Sequence, residues 1–67
     1  MTLIELMREL QGEDSQEAFA ARIGVHQTMV SQIYNGAVRP GRRVVTGLAR
    51  AYPERAEEIK ACFFALE

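Results

Sequence analysis

The fold of this chain is decided by residues 15–36, which read SQEAFAARIGVHQTMVSQIYNG. Apolar residues recur at helical spacing on both sides of Gly24, so the stretch predicts two short helices. The first helix begins after the capping residue Ser15, and the second covers about residues 27–34 and ends at Asn35-Gly36. Only three residues separate the two helices, and a short connection that contains glycine lets helices cross at a steep angle. The stretch therefore predicts a helix-turn-helix unit.

The outward face of the second of these helices is polar but uncharged. It carries four side chains of this kind: Gln27, Thr28, Ser31 and Gln32. Glutamine can pair through two hydrogen bonds with adenine, and threonine offers a hydroxyl to a base and a methyl group to thymine. Solvated helix faces usually favour lysine and glutamate, so the composition favours contact with a DNA groove. The alternative is an ordinary helical hairpin whose polar face is solvated.

Three further helices are predicted outward from this unit, and no segment alternates as a strand does. They cover about residues 2–11, 42–51 and 53–66. Thr2 and Glu5 have the spacing of a capping box, and Pro53 suits the first turn of a helix. Gly47 is predicted to weaken its helix by about 1 kcal/mol relative to alanine. The predicted fold is all-α, a compact five-helix single domain over residues 1–67.

Charge is segregated along the chain, although the net charge is only −1. Residues 1–17 carry a net −4 and residues 54–67 a net −2, whereas residues 18–53 carry five arginines and no acid. Such a segment favours a surface that faces a polyanion, with chance segregation as the alternative. Arg42 and Arg43 would begin a helix, where positive charge opposes the helix dipole unless an anionic partner offsets it. A merely solvated helix start is the alternative for this pair.

Several classes of protein and site are disfavoured by the composition. A 67-residue chain with one cysteine has a marginal core and no internal disulfide, so oligomerisation is the expected source of added stability. His26 and Cys62 have no zinc-site spacing, so we predict no metal and no cofactor. A buried structural thiol is the default for Cys62, and a redox switch is the alternative. We predict no catalytic residue and no enzyme, because the sequence has no nucleophile–base pair, paired carboxylates or phosphate loop.

Membrane association is not predicted either. The longest apolar run is far shorter than the roughly 20 residues that span a bilayer. The N-terminus lacks the basic and apolar regions of a signal peptide. We therefore expect a cytoplasmic protein.

The last helix carries the predicted dimer interface. Its apolar stripe continues at helical spacing to the end of the chain, and Phe64 lies about 100° around the helix from Phe63. A small domain cannot easily bury both rings, so an exposed aromatic patch and a two-fold homodimer are predicted. The predicted interface residues are Ile59, Phe63, Phe64 and Leu66. The alternative packs Phe64 against the first helix.

Taken together, residues 15–52 resemble the helix-turn-helix domains of the Cro and lambda-repressor type. The elements that match at the family's spacing are Ser15-Gln16-Glu17, Ala20, Gly24-Val25, Val30-Ser31, Ile33, Asn35-Gly36 and Leu48-Ala49. The family's usual hydrophobic residue before the second helix is Asp14 here, and its common serine at the start of the third helix is His26. The resemblance implies a lambda-repressor-like fold and a sequence-specific, repressor-like regulator that reads the major groove as a dimer.

The resemblance also implies roles for individual residues. Base reading would belong to His26, Gln27, Thr28, Ser31 and Gln32. Contact with phosphates or the minor groove would belong to Gln16, Asn35, Arg39 and one of Arg42 and Arg43. The implied partner is double-stranded DNA. The alternative function is a protein-interaction module, such as the antitoxin of a toxin–antitoxin pair, with secondary DNA binding.

Overall fold

The computed structural model describes residues 2–64, and every regular element among them is helical. The α-helices are α1 (Leu3–Gln11), α2 (Gln16–Ile23), α3 (Gln27–Tyr34), α4 (Arg42–Ala51) and α5 (Ala56–Phe64). The predicted all-α, five-helix fold is confirmed. The first four helices have nearly the predicted bounds. The last differs, because Pro53–Arg55 forms a single 3-10 turn before α5 begins.

Side-chain caps fix the starts of the first two helices. The Thr2 hydroxyl accepts a hydrogen bond from the Glu5 backbone N–H at 3.1 Å, and the Glu5 carboxylate accepts the Thr2 N–H at 2.9 Å. This is the predicted capping box, and the bond to the charged carboxylate holds the pKa of Glu5 below its ordinary value. The Ser15 hydroxyl accepts from the Ala18 N–H at 3.0 Å at the start of α2. Both helices therefore begin where the sequence predicted.

One apolar core receives side chains from all five helices. Its buried members are Leu3, Leu6, Met7, Phe19, Ala20, Ile23, Val30, Ile33, Val44, Val45, Leu48 and Ile59. α2 packs against α3 and α4, α4 packs against α5, and α5 also contacts α1. The half-buried Cys62 packs against this core. α3 thus has one buried side held by α2 and leaves its other side to solvent.

Gly47 allows α4 to lie directly across the C-terminal end of α2. A Cβ atom on Gly47 would overlap the carbonyl oxygen of Ile23 and lie 3.0 Å from its carbonyl carbon. Real Cβ atoms do not tolerate such a contact with backbone, so α4 could not keep this position with a larger residue. The sequence predicted only a loss of helix propensity here. The structure adds that glycine is what permits the contact between α2 and α4.

Polar side chains tie α1 to the end of α3. The Tyr34 hydroxyl donates to Oε1 of Gln11 at 2.7 Å, and Nε2 of Gln11 donates to the carbonyl of Asp14 at 2.8 Å. Partial burial raises the pKa of Tyr34, so its hydroxyl remains protonated and continues to donate. The Arg8 guanidinium lies 4.2 Å from the centre of the Tyr34 ring. These contacts hold the C-terminal end of α3 against the body of the protein.

Two arginines away from α3 are paired with carboxylates. Arg22 forms an ion pair with Asp14 at 2.8 Å, which gives a partner to the residue that departs from the family pattern. Arg55 bridges Glu9 and Glu58 at 2.7 Å each. Their positive charge is therefore paired with carboxylates of the protein itself.

Candidate nucleic-acid interface

The turn between α2 and α3 is held by its backbone. Gly24 has φ 78° and ψ 28°, a left-handed conformation that glycine adopts without the steric cost of a Cβ atom. The next N–H, that of Val25, donates to the carbonyl of Ala20 at 3.0 Å. Val25 itself is half-buried and packs against the core. The three-residue turn therefore holds α3 at a fixed angle to α2.

His26 caps the start of α3 with its side chain. Its Nδ1 atom accepts a hydrogen bond from the Thr28 backbone N–H at 3.1 Å. A neutral ring that accepts at Nδ1 carries its proton on Nε2. Because the residue is exposed, Nε2 can donate to a phosphate or a base edge. His26 thus combines a role in the fold with a donor at the head of α3.

The polar residues of α3 lie on its outer side. Gln27, Thr28 and Gln32 are exposed and Ser31 is half-buried, while Val30 on the opposite side is fully buried. Across residues 2–64, the side chains of these four polar residues make no hydrogen bond to the protein. All their donors and acceptors are therefore available to an external partner. The structure brings the predicted base-reading residues together on one face.

The loop between α3 and α4 is anchored at both ends. Gly36, with φ 79°, ends α3, and the Ala37 N–H donates to the carbonyl of Gln32 at 2.9 Å. Pro40 is buried at the other end of the loop. Asn35 and Arg39 are both exposed. Gln16 lies elsewhere, half-buried in the first turn of α2.

The structure separates the two arginines at the start of α4. Arg43 lines a cleft together with His26 and Arg39, whereas Arg42 lines a groove beside Phe64. None of the three arginines forms an ion pair within the described part of the chain. The first turn of α4 contains no acid, and its N-cap has no side-chain hydrogen bond. Arg39 and Arg43 therefore add positive charge beside α3, while Arg42 lies between that surface and α5.

Three residues that the sequence did not assign to the site border it. Met29 and Val38 are each 37% exposed and line the same cleft as Arg43. Glu17 lines a neighbouring cleft beside Gln27. The sequence carried a signal for Met29, because it is an apolar residue at an outward position of its helix. Val38 and Glu17 had no such signal, because their positions depend on how distant segments pack.

The predicted dimer interface needs correction. Ile59 is fully buried in the core, so its assignment to that interface is wrong: the apolar stripe of α5 faces its own domain. Phe64 is 65% exposed, which excludes the alternative of packing against α1. Phe63 is half-buried, with its ring centre 6.0 Å from that of Phe64. Leu66 lies outside the described residues. We call Phe63 and Phe64 the aromatic patch.

Neither a membrane-spanning helix nor a clustered metal site is present in residues 2–64. No helix there is long and apolar enough to cross a membrane. No group of three or more His, Cys, Asp or Glu side chains in that part is arranged to hold a metal ion.

The geometry agrees with a comparison against protein families. A family model described as helix-turn-helix matches residues 4–59, which include all but the first residue of α1, the whole of α2 to α4 and the turn that positions α3. Comparisons with curated proteins and with solved structures give no match. The chain belongs to the helix-turn-helix family of the Cro and lambda-repressor type, a family of DNA-binding transcriptional regulators.

Proposed function

We propose that this protein is a repressor-like regulator that binds a specific operator as a homodimer, with α3 in the major groove. The observation that carries the proposal is the outer face of α3, whose polar side chains have no hydrogen-bond partners among residues 2–64. Arginines that form no ion pair within residues 2–64 flank this face, and the segment 18–53 contains no acid. Hydrogen-bonding groups would read the bases while the positive charge attracts the phosphates.

In this proposal, residues at the start of α3 contact the bases. Side chains near the N-terminus of a recognition helix reach deepest into the major groove, which favours Gln27 and Thr28. Gln32 lies one turn further along the same face. Ser31 and the Nε2–H of His26 would contact either a base edge or a phosphate.

Residues on either side of α3 would contact the phosphates. Gln16 lies in the first turn of α2, where free backbone N–H groups favour a phosphate. Asn35 and Arg39 border the other end, in or beside the loop that leads to α4. Arg43 would contact a phosphate or enter the minor groove, and Arg42 would contact the backbone nearer the two-fold axis.

The dimer is proposed on grounds of size. The Cα trace spans 26 × 25 × 19 Å, whereas successive major grooves on one side of B-DNA are about 34 Å apart. One copy therefore reaches a single groove and reads only a few base pairs. A second copy, joined through the aromatic patch beside Arg42, would double the site and make the operator palindromic.

Selection of binding sites from random duplex DNA tests the function. We expect a palindromic motif whose half-sites are about 10 base pairs apart, with affinity that falls steeply as salt increases. Gln27→Ala should cost about 1–3 kcal/mol on that motif and relax the base preference at one position per half-site. Absence of any enriched motif, or equal losses on the motif and on random DNA, would contradict base reading by α3.

Sedimentation equilibrium at micromolar concentration tests the dimer. Phe64→Ser removes the exposed ring without changing charge, so we expect a shift toward monomer and weaker operator binding. Ala61→Ser, on an exposed part of the same helix, is the matched control and should associate as wild type does. If Phe64→Ser associates as well as wild type, the aromatic patch is not the interface.

Sedimentation equilibrium also distinguishes the homodimer from the antitoxin alternative. In that alternative, the exposed aromatic patch binds a different protein rather than a second copy of this chain. A wild-type protein that stays monomeric both alone and on DNA would favour it over the homodimer.

A further inference from the structure

Two exposed apolar side chains line one cleft beside the polar face of α3. Among the described residues, the large exposed hydrophobic side chains are Met29, Val38 and Phe64. Phe64 belongs to the aromatic patch, but Met29 and Val38 line one cleft between α3 and the loop that follows it. Singly exposed apolar residues are ordinary, whereas two that share a cleft at a polar surface point to an apolar contact.

Met29 borders the arc of α3 that carries the proposed base-reading side chains. At 100° per residue, it lies about 60° around the helix from Gln32 and about 100° from Thr28. On its other side it lies about 40° from the buried Ile33. It therefore stands at the boundary between that arc and the buried side, and it is still 37% exposed. An apolar side chain at this edge can touch the rim of a base pair that the polar side chains enter.

The surroundings of the cleft favour a DNA strand as the occupant. Arg39 and Arg43 line it together with His26, and none of these residues has a carboxylate partner in the part of the chain described. Its apolar wall continues inward to Val44, which is 2% exposed. A cationic rim around an apolar wall complements a strand that has phosphates outside and an apolar group on a base edge.

Thymine is the base that provides such a group. In the major groove its C5-methyl is apolar, while the other edges of the four bases present hydrogen-bond donors and acceptors. We propose that Met29 and Val38 form an apolar contact that reads thymine methyl groups at the edge of each half-site. This inference rests on the proposed function, because it requires α3 to lie in the major groove.

Replacing thymine by deoxyuridine tests the contact, because it removes only the methyl group. Each thymine of the selected operator is replaced in turn, and the affinity is measured for wild type and for Met29→Gln, Val38→Ala and Thr28→Ser. We expect one or two positions per half-site at which wild type loses about threefold to fivefold in affinity. At those positions Met29→Gln should bind both DNAs equally, and Val38→Ala should show a smaller difference than wild type.

Thr28→Ser is the matched control, because it removes the other methyl group on α3 that could contact thymine. It should keep the wild-type loss at the positions assigned to Met29. No sensitive position in wild type, or an undiminished loss in both Met29→Gln and Val38→Ala, overturns the contact but leaves DNA binding intact. Failure of wild type to bind any duplex overturns the proposed function and this contact with it.

Discussion

Two sides of the molecule differ in whether their arginines are paired with carboxylates. On the side formed by α1, α2 and α5, Arg22 pairs with Asp14 at 2.8 Å, and Arg55 pairs with two glutamates at 2.7 Å. On the side formed by the outer face of α3 and the start of α4, Arg39 and Arg43 have no such partner among the described residues. We call these the scaffold side and the readout side.

The difference follows from what each side has to do. Paired charges and satisfied hydrogen bonds hold helices in place, so they contribute to folding and leave nothing for a ligand. Unpaired cations repel one another slightly in the free protein, but they can release counterions from DNA. Substitutions in the ion pairs of the scaffold side should therefore change stability and not DNA binding, and substitutions of the unpaired arginines on the readout side should change DNA binding and not stability.

The largest effect is expected at Gly47, where α4 packs against α2 of the scaffold side. By helix propensity alone, Gly47→Ala would stabilise α4 by about 1 kcal/mol. The overlap of the new Cβ atom with the Ile23 carbonyl instead forces α4 away from α2, at a cost of about 3 kcal/mol. Urea denaturation measures the free energy of unfolding and shows whether Gly47→Ala stabilises or destabilises the protein.

Gly41→Ser is the matched control for this overlap. A Cβ atom at Gly41 meets no other atom within 4 Å, and serine is a preferred N-cap residue. We expect its stability to equal or slightly exceed that of wild type. If Gly47→Ala proves equally stable, the contact between α4 and α2 does not depend on glycine.

On the readout side, the arginines should affect binding without affecting folding. Arg39→Ala, Arg42→Ala and Arg43→Ala should each weaken binding to all sequences, on the order of tenfold at 0.1 M salt per lost phosphate contact. Each should flatten the slope of log K against log salt by roughly 0.9. Arg50→Ala is the control, because Arg50 is exposed in the last turn of α4 and lines none of the clefts. Unchanged slopes in all three variants would mean that this side faces something other than DNA.

Local signals in the sequence predicted much of this molecule. The Ser15 cap, the turn at Gly24 and the end of α3 at Gly36 are properties of a few neighbouring residues. Helical spacing likewise predicted that Gln27 would be exposed. Such features need no knowledge of the rest of the chain.

Features that depend on distant segments could not be predicted in this way. Periodicity identified the apolar stripe of α5 but not what it faces, so Ile59 was assigned to a dimer when it belongs to the core. Gly47 was interpreted as a weak point of its helix because nothing in the sequence indicates that Ile23 lies against it. Arg42 and Arg43 are neighbours in sequence, yet they line different clefts.

His26 belongs to both sides, so substitutions there can separate the two roles. His26→Ala removes the cap on Thr28 N–H and the exposed Nε2–H donor, so stability should fall by about 1 kcal/mol and DNA affinity should also fall. His26→Ser restores a capping oxygen but lacks the imidazole donor. We expect it to regain stability without regaining affinity. If both properties recover in His26→Ser, the imidazole makes no contact with DNA and acts only as a cap.

The smallest effect is expected at Arg55, whose two ion pairs lie at the surface of the scaffold side. Arg55→Met removes the ion pairs to Glu9 and Glu58 but keeps an apolar stem, so stability should fall slightly at neutral pH and less at high salt. The hydrogen bond from Arg55 holds the pKa of Glu58 below its ordinary value of 4.5. This contribution is therefore present above pH 4.5 and is lost as the pH falls through the lower pKa of the folded state.

Urea denaturation at pH 7 and pH 3 checks this expectation for Arg55→Met, Glu58→Gln and the double variant. Because Arg55 and Glu58 act as a pair, the losses of the two single variants should not add in the double variant. The difference from wild type should shrink at the acidic pH as the Glu58 carboxylate becomes protonated. The salt slope of DNA binding should equal that of wild type, because the charge of Arg55 is directed to carboxylates rather than to phosphates. A flatter slope in Arg55→Met would show that a paired arginine still contributes to DNA binding, and the contrast between the two sides would then not hold.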